Sequence, residues 1–168
     1  MSGPPMRFQH LEQIATARIP VLAIDGFRRA ILDAVAEGCR LVSLHGVPRP
    51  GDTVRLVAIL ADDRAGGLSA VAADPGEAYS ALTPECPQAG GFEREIAEQW
   101  GVAPLGHPWL KPLRFHRAYR PGRDAWHREN AGAPAPSVMD FFQVEGEGIH
   151  EVTVGPVHAG IIEPGHFR

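Results

Sequence analysis

The sequence predicts an α+β fold: an antiparallel sheet with one or two helices packed on it, plus a C-terminal β-like tail. Three observations predict it. A helical hydrophobic period runs from Phe27 to Val35, an alternating apolar stretch runs from Val54 to Ala61, and a shorter helical period begins at Phe92.

The first 20 residues carry Pro4, Pro5 and Pro20 and read as loosely ordered chain or an edge segment. Asp25 stands where an N-cap would, its carboxylate able to accept orphan backbone N–H groups. Phe27, Ala30, Ile31, Ala34 and Val35 then follow at helical spacing, with Arg28, Arg29, Asp33 and Glu37 on the opposite side. Gly38 is a natural stop because it tolerates the left-handed conformation after a helix. From Cys39 to Val47 the run Leu41-Val42-Ser43-Leu44 reads as a strand, closed by a turn at Pro48, Pro50 and Gly51. Leu56, Ala58 and Leu60 alternate with Arg55, Val57 and Ile59 in the next strand. The run Asp62-Asp63-Arg64-Ala65-Gly66-Gly67 is a hairpin loop, returning as a third strand from Leu68 to Ala73.

Asp74 to Gly91 reads as irregular, with Pro75, Pro84 and Pro87. Phe92 to Val102 predicts a short helix with Phe92, Ile96, Gln99 and Trp100 near one face and Glu93, Arg94, Glu95 and Glu98 exposed; Gly101 weakens or ends it. Residues 104–136 show no period and read as extended structure or linker. Phe141 to Val157 is β-like, with a turn at Gly146-Glu147-Gly148, before a tail rich in Gly and His.

Composition narrows the function classes. Hydrophobic residues at 44% and charged residues at 21% fit a globular chain, and a net charge of −4 argues against a generic nucleic-acid binder. Among the 16 basic residues only Lys111 is a lysine. Cys39 and Cys86 lie far apart without a CxxC pattern, so they frame neither a zinc site nor a disulfide scaffold, and Cys39 is expected as a buried, reduced thiol. With no signal peptide and no apolar run of ~18 residues, the chain is expected to be cytoplasmic, meeting a membrane only through partners.

Two stretches together resemble one known arrangement. Tyr79-Ser80-Ala81-Leu82-Thr83-Pro84, then Phe92-Glu93-Arg94-Glu95 and Gly106-His107-Pro108, resemble the signature of the complex I 30 kDa subunit family of the NADH:quinone oxidoreductases. The tail, with Gly155, Pro156, His158, Glu163, Gly165, His166 and Arg168, resembles the opening of the partner family, the 49 kDa subunit and the related NiFe hydrogenase large subunits. The likeness is greatest to the energy-converting, formate-hydrogenlyase-like group. The resemblance implies a 30 kDa-subunit-like domain over residues 1–117, a linker over 118–140, and the beginning of a large-subunit-like module over 141–168. Two departures favour the hydrogenase-like branch. Trp109-Leu110-Lys111-Pro112-Leu113-Arg114-Phe115 follows the Gly-His-Pro turn at once, and Ile161-Ile162-Glu163-Pro164 stands where quinone-reducing relatives carry a second His. By the same match Glu163 is the candidate proton relay of an assembled complex.

What the resemblance implies is a non-catalytic assembly module, cytoplasmic and peripheral to the inner membrane. It would help dock a hydrogenase-like large subunit to Fe–S subunits of the same complex. A NiFe centre needs four thiolates as two CxxC pairs and an Fe–S cluster about four ligands; with two cysteines the chain is expected to carry no cofactor and to catalyse no redox step alone. Competing readings are weaker. His150, His158 and His166 recur every eight residues, but Gly155, Pro156 and Pro164 interrupt any continuous strand, so no metal site is expected. Glu93 and Glu95 suit the first turn of a helix better than catalysis. Arg114, Arg117, Arg120, Arg123 and Arg128, interleaved with Tyr119 and Trp126, read as a segment docking on acidic groups of this chain or a neighbour, rather than on nucleic acid. An independent small binding protein derived from such a subunit is the alternative.

Overall fold

The centre of the fold is the longest alternating strand of the sequence. In the computed structural model, which describes residues 5–114, 118–120, 122–123, 146–147, 152–154 and 165–167, Thr53–Asp62 forms that strand, β4. Leu56, Ala58 and Leu60 are fully buried on one face, and each such leucine removed from water contributes about 1.5–3 kcal/mol. Strand β3 (Arg40–Arg49) and strand β5 (Gly67–Ala73) flank β4, both antiparallel. The sheet is completed by β1 (Met6–Gln9), antiparallel to β5, and by β2 (Val21–Leu22), parallel to it. The order is β1-β5-β4-β3, so the N-terminal segment is an edge strand and β3 closes the other side.

Helix α1 (Ile24–Ala36) lies on this sheet through Phe27 and Ile31, both buried, with Ala30, Ala34 and Val35 partly buried beside them. It begins one residue before the predicted cap. Ala23 is the N-cap and Asp25 sits in the first turn, making no capping hydrogen bond, so its carboxylate acts through the helix dipole instead. The stop falls as predicted: Gly38 has φ +96° and the Gly38 and Cys39 N–H groups close onto Val35 and Ala34. The β4–β5 hairpin is closed by Asp62, whose Oδ1 accepts from the Arg64 and Ala65 N–H groups at 3.1 and 3.0 Å. Pro48, predicted in a turn, instead continues β3 opposite Val54; a proline fits there because β3 is an edge strand with one unpaired side.

The segment from Asp74 to Gly91 is more regular than predicted. Strand β6 (Ala78–Ser80) pairs in parallel with β7 (Ala103–Leu105), a three-residue ladder too short and too proline-rich to show a period. Helix α2 (Gly90–Trp100) lies between them in sequence and packs on β3 and β7. Gly101 ends it at φ +67°, and a Cβ there would collide with the Arg123 carbonyl. The chain divides into two units, residues 1–134 and 135–168. In the second, β8 (Val152–Val154) and β9 (Gly165–Phe167) pair antiparallel, in keeping with the predicted β-like tail.

The cysteines differ from expectation in one respect. Cys86 is fully buried, but Cys39 is only partly so; in both, burial pushes the thiol pKa up. Asp62 and Glu37 raise Cys39 further. Thiol titration of the native chain at pH 7.5 is expected to show one slowly reacting group, Cys39, with Cys86 released only by denaturant. Two fast thiols in native protein would contradict this burial.

Candidate functional site

Helix α2 and the segments folded around it hold the signature residues of the first unit. Ile96, Ala97, Glu98 and Gln99 are all buried, because β3 covers one side of the helix and the chain from Lys111 onward covers another. The acids of this helix are therefore not a solvated face. Glu93 and Glu98, predicted exposed, are both at 0% exposure. The reason is the supply of main-chain donors. Glu93 accepts from the Leu82 N–H at 2.7 Å, the Thr83 N–H at 3.0 Å and the Thr83 hydroxyl at 2.5 Å. Glu98 Oε2 accepts from the N–H groups of Leu113 and Arg114 at 2.8 and 2.7 Å. Buried carboxylates survive only when hydrogen-bonded in this way.

Arg94 and Glu95 act on the same outer segment. Arg94 donates to the carbonyls of Lys111 and Pro112, each at 2.8 Å, and Glu95 takes a two-pronged contact from Arg114 at 2.7 and 3.2 Å. The Gly106-His107-Pro108 turn is tied to the other end of the helix. His107 Nε2 meets the Gly90 carbonyl at 3.2 Å while its Nδ1 accepts from the Trp109 N–H at 3.1 Å, which selects the tautomer with hydrogen on Nε2. Phe92 packs against the core from a half-buried position. Tyr79 is buried beside Glu93; burial first, then that carboxylate, push its hydroxyl well above the ordinary phenol range.

The C-terminal end of α2 is gripped by Arg120, which is 6% exposed. Its guanidinium donates to the last helical carbonyl, Trp100, at 2.8 Å and to the Asp52 carbonyl at 2.7 Å, and it pairs with the Asp52 carboxylate at 3.2 Å and Glu77 at 3.6 Å. Arg123 pairs with the same two acids. With Arg114 on Glu95, three arginines of the basic cluster are thus engaged by acids of this chain, one of the docking options the sequence left open. Arg117, Trp126 and Arg128 lie outside the described residues. Sequence reasoning missed the burial of Glu98 and the pairing of Asp52, whereas it placed Gln99 on the apolar face of the helix and Arg120 in the acid-docking cluster. Only the turn residue Asp52, at φ +54°, lies at a position with a local signal.

These groups are engaged with main-chain donors and acceptors and with one another. Among the described residues no three His, Cys, Asp or Glu side chains converge on a metal position. The two thiols lie apart, one buried before α2 and one at the start of β3, so the donor set does not fit a NiFe or Fe–S centre. Glu163, Gly155, Pro156, His158 and Arg168 lie outside the described residues, as do His150 and residues 124–140 of the expected linker; Gly165 and His166 are in β9. Among the described residues no helix is long and apolar enough to cross a membrane.

Asp74 carries a pH-dependent contact near this unit. Arg55 holds it with two hydrogen bonds of 2.7 Å, and that guanidinium keeps the carboxyl below its ordinary range. A depressed folded-state pKa stabilises above the unfolded value of about 3.9, and that stability is lost as pH falls through the folded value. The carboxylate is half-exposed, so the effect is that of a screened surface pair, about 0.5 kcal/mol. Asp74→Asn is expected to lower the melting temperature slightly at pH 7, with the difference shrinking as pH falls below about 3.9; a shift that does not change with pH would assign the loss to something other than charge.

No family model matches the chain. Over 98 residues it is 30% identical to formate hydrogenlyase subunit 5 of Escherichia coli (strain K12), a match covering 54% of this chain and 17% of that protein. That similarity is to a hydrogenase-system subunit. The chain therefore matches only about a sixth of the length of this relative.

Proposed function

We propose that this chain is a non-catalytic assembly module of a membrane-associated, NiFe-hydrogenase-like oxidoreductase complex. Residues 1–117 form its complex I 30 kDa-subunit-like domain, 118–140 a linker, and 141–168 the beginning of a large-subunit-like module. It helps dock the catalytic large subunit to Fe–S electron-transfer subunits on the cytoplasmic side of the inner membrane, with Glu163 as the proton relay of the assembled complex. The observation that carries this reading is the identity with formate hydrogenlyase subunit 5, a protein named for membership of a multisubunit enzyme. The hydrogen bonds from Leu82 and Thr83 to Glu93 support it, since they join the Tyr79–Pro84 and Phe92–Glu95 stretches, while His107 meets the Gly90 carbonyl at the start of the same helix. With two cysteines, these 168 residues leave the metal chemistry of such a complex to segments or chains outside them.

Gentle extraction from the native source followed by affinity capture of the full chain is expected to recover a CxxC-bearing large subunit and Fe–S proteins. Capture of the chain alone, under conditions that keep such complexes whole, would refute the proposal. An independent small binding protein is the second reading. It is favoured by the pairing of β8 with β9, which lets the tail satisfy part of its own backbone without a partner. The same capture experiment separates the two.

A further inference from the structure

We infer that Trp109, framed by Arg94 and Lys111, anchors a protein-docking surface whose partner presents carboxylates around an apolar recess. This deepens the proposed assembly role and rests on it for the identity of the partner. The indole is 58% exposed although the loop that carries it is tightly held. His107 accepts from its backbone N–H, Arg94 fixes the carbonyls of Lys111 and Pro112, and Glu98 fixes the two N–H groups beyond them. A large apolar ring fixed toward solvent gains nothing from folding, but it enters a complex with its ordering cost already met. Leu105 at the end of β7 and Leu113 after Trp109 are 60% and 39% exposed.

Charge selects the occupant. The Arg94 guanidinium lies 4.7 Å from the indole centroid and the Lys111 ammonium 5.2 Å from it. Arg94 and Lys111, like Arg7, Arg18, Arg29, Arg49 and Arg64, form no ion pair with a carboxylate among the described residues, and of these only Arg94 and Lys111 lie over an exposed indole. Two cations without a carboxylate partner beside one exposed indole fit a partner with acids at the rim and a pocket for the ring, where Trp and Arg concentrate binding energy. A nucleobase stacked on the indole would use the same groups, but a chain of net charge −4 whose neighbouring arginines face its own acids offers little attraction to phosphates.

The test places the photo-crosslinking residue p-benzoylphenylalanine at position 109 of the full chain in its native source, alongside Trp109→Ala, Lys111→Glu and the control Val42→Ala. The expected crosslink is to a co-purifying oxidoreductase subunit, at a segment with Asp or Glu beside apolar residues. Recovery of that subunit should fall about tenfold for Trp109→Ala and about fivefold for Lys111→Glu, while Val42→Ala and all melting curves stay unchanged. Crosslinks to a second copy of the chain or to RNA, no crosslink, or full recovery with both variants would overturn the surface. If subunits are recovered equally with wild type and both variants, the assembly role stands and this surface falls. A crosslink to an acidic protein outside any oxidoreductase keeps the surface and removes the assembly role.

Discussion

Glu93→Ala is expected to destabilise the first unit by about 3 kcal/mol, on the order of 10 °C in melting temperature. The substitution removes the acceptor for three donors at once, the N–H groups of Leu82 and Thr83 and the Thr83 hydroxyl. Leu82 is at 0% exposure, so its N–H has no water to turn to, and an orphaned buried donor costs about 1–3 kcal/mol by itself. The space left by the carboxylate adds a cavity cost. Glu93→Gln separates the two causes. Its carbonyl oxygen still accepts one N–H, but its NH2 group then faces another donor, so about half the loss should remain. Thermal or urea unfolding measures both; a change below about 0.5 kcal/mol for Glu93→Ala, the range of a solvated surface site, would show that the carboxylate is not buried as described.

This prediction rests on a feature the sequence did not reveal, and the contrast with what it did reveal is physical. Helix α1 and strand β4 were readable because their partners are written into the same segment: the 3.6-residue period of Phe27 and Ile31, and the two-residue period of Leu56, Ala58 and Leu60. Gly38, Gly66 and Gly101 were readable because positive φ restricts residue choice locally. Glu93 and Glu98 carry the opposite signal. A carboxylate on a short helix reads as solvated, and what buries it is main chain from residues 82–83 and 113–114, whose N–H groups exist whatever side chains they bear. The β6–β7 ladder escaped notice for the same reason, since Tyr79 opposite Pro104 has no periodic context. At the candidate site the sequence could thus point to Phe92–Glu95 and the His107 turn as candidates, but not to the engagement of Glu93, Glu98 and Arg94 in holding loops.

Glu98→Ala is the second large effect, expected at about 2–3 kcal/mol, and its signature is local before it is global. Glu98 Oε2 accepts from both the Leu113 and Arg114 N–H groups, whereas Glu95 meets Arg114 through side chains that are 27% and 51% exposed. The buried contact must outweigh the exposed one, because a screened ion pair is worth about 0.2–1 kcal/mol while two charge-assisted hydrogen bonds to a buried carboxylate are worth more. Loss of Glu98 should therefore release the segment around Arg114 well below the global melting temperature. Trypsin reads this directly by cleaving after Arg114, Lys111 being protected by the proline that follows it. If opening becomes easier by about 2 kcal/mol, the cleavage rate should rise about 30-fold at 25 °C under conditions where reclosing is fast. Glu95→Ala should raise it less than about fivefold. Equal acceleration by the two variants would mean that the side-chain pair, rather than the buried carboxylate, holds the loop that presents Trp109.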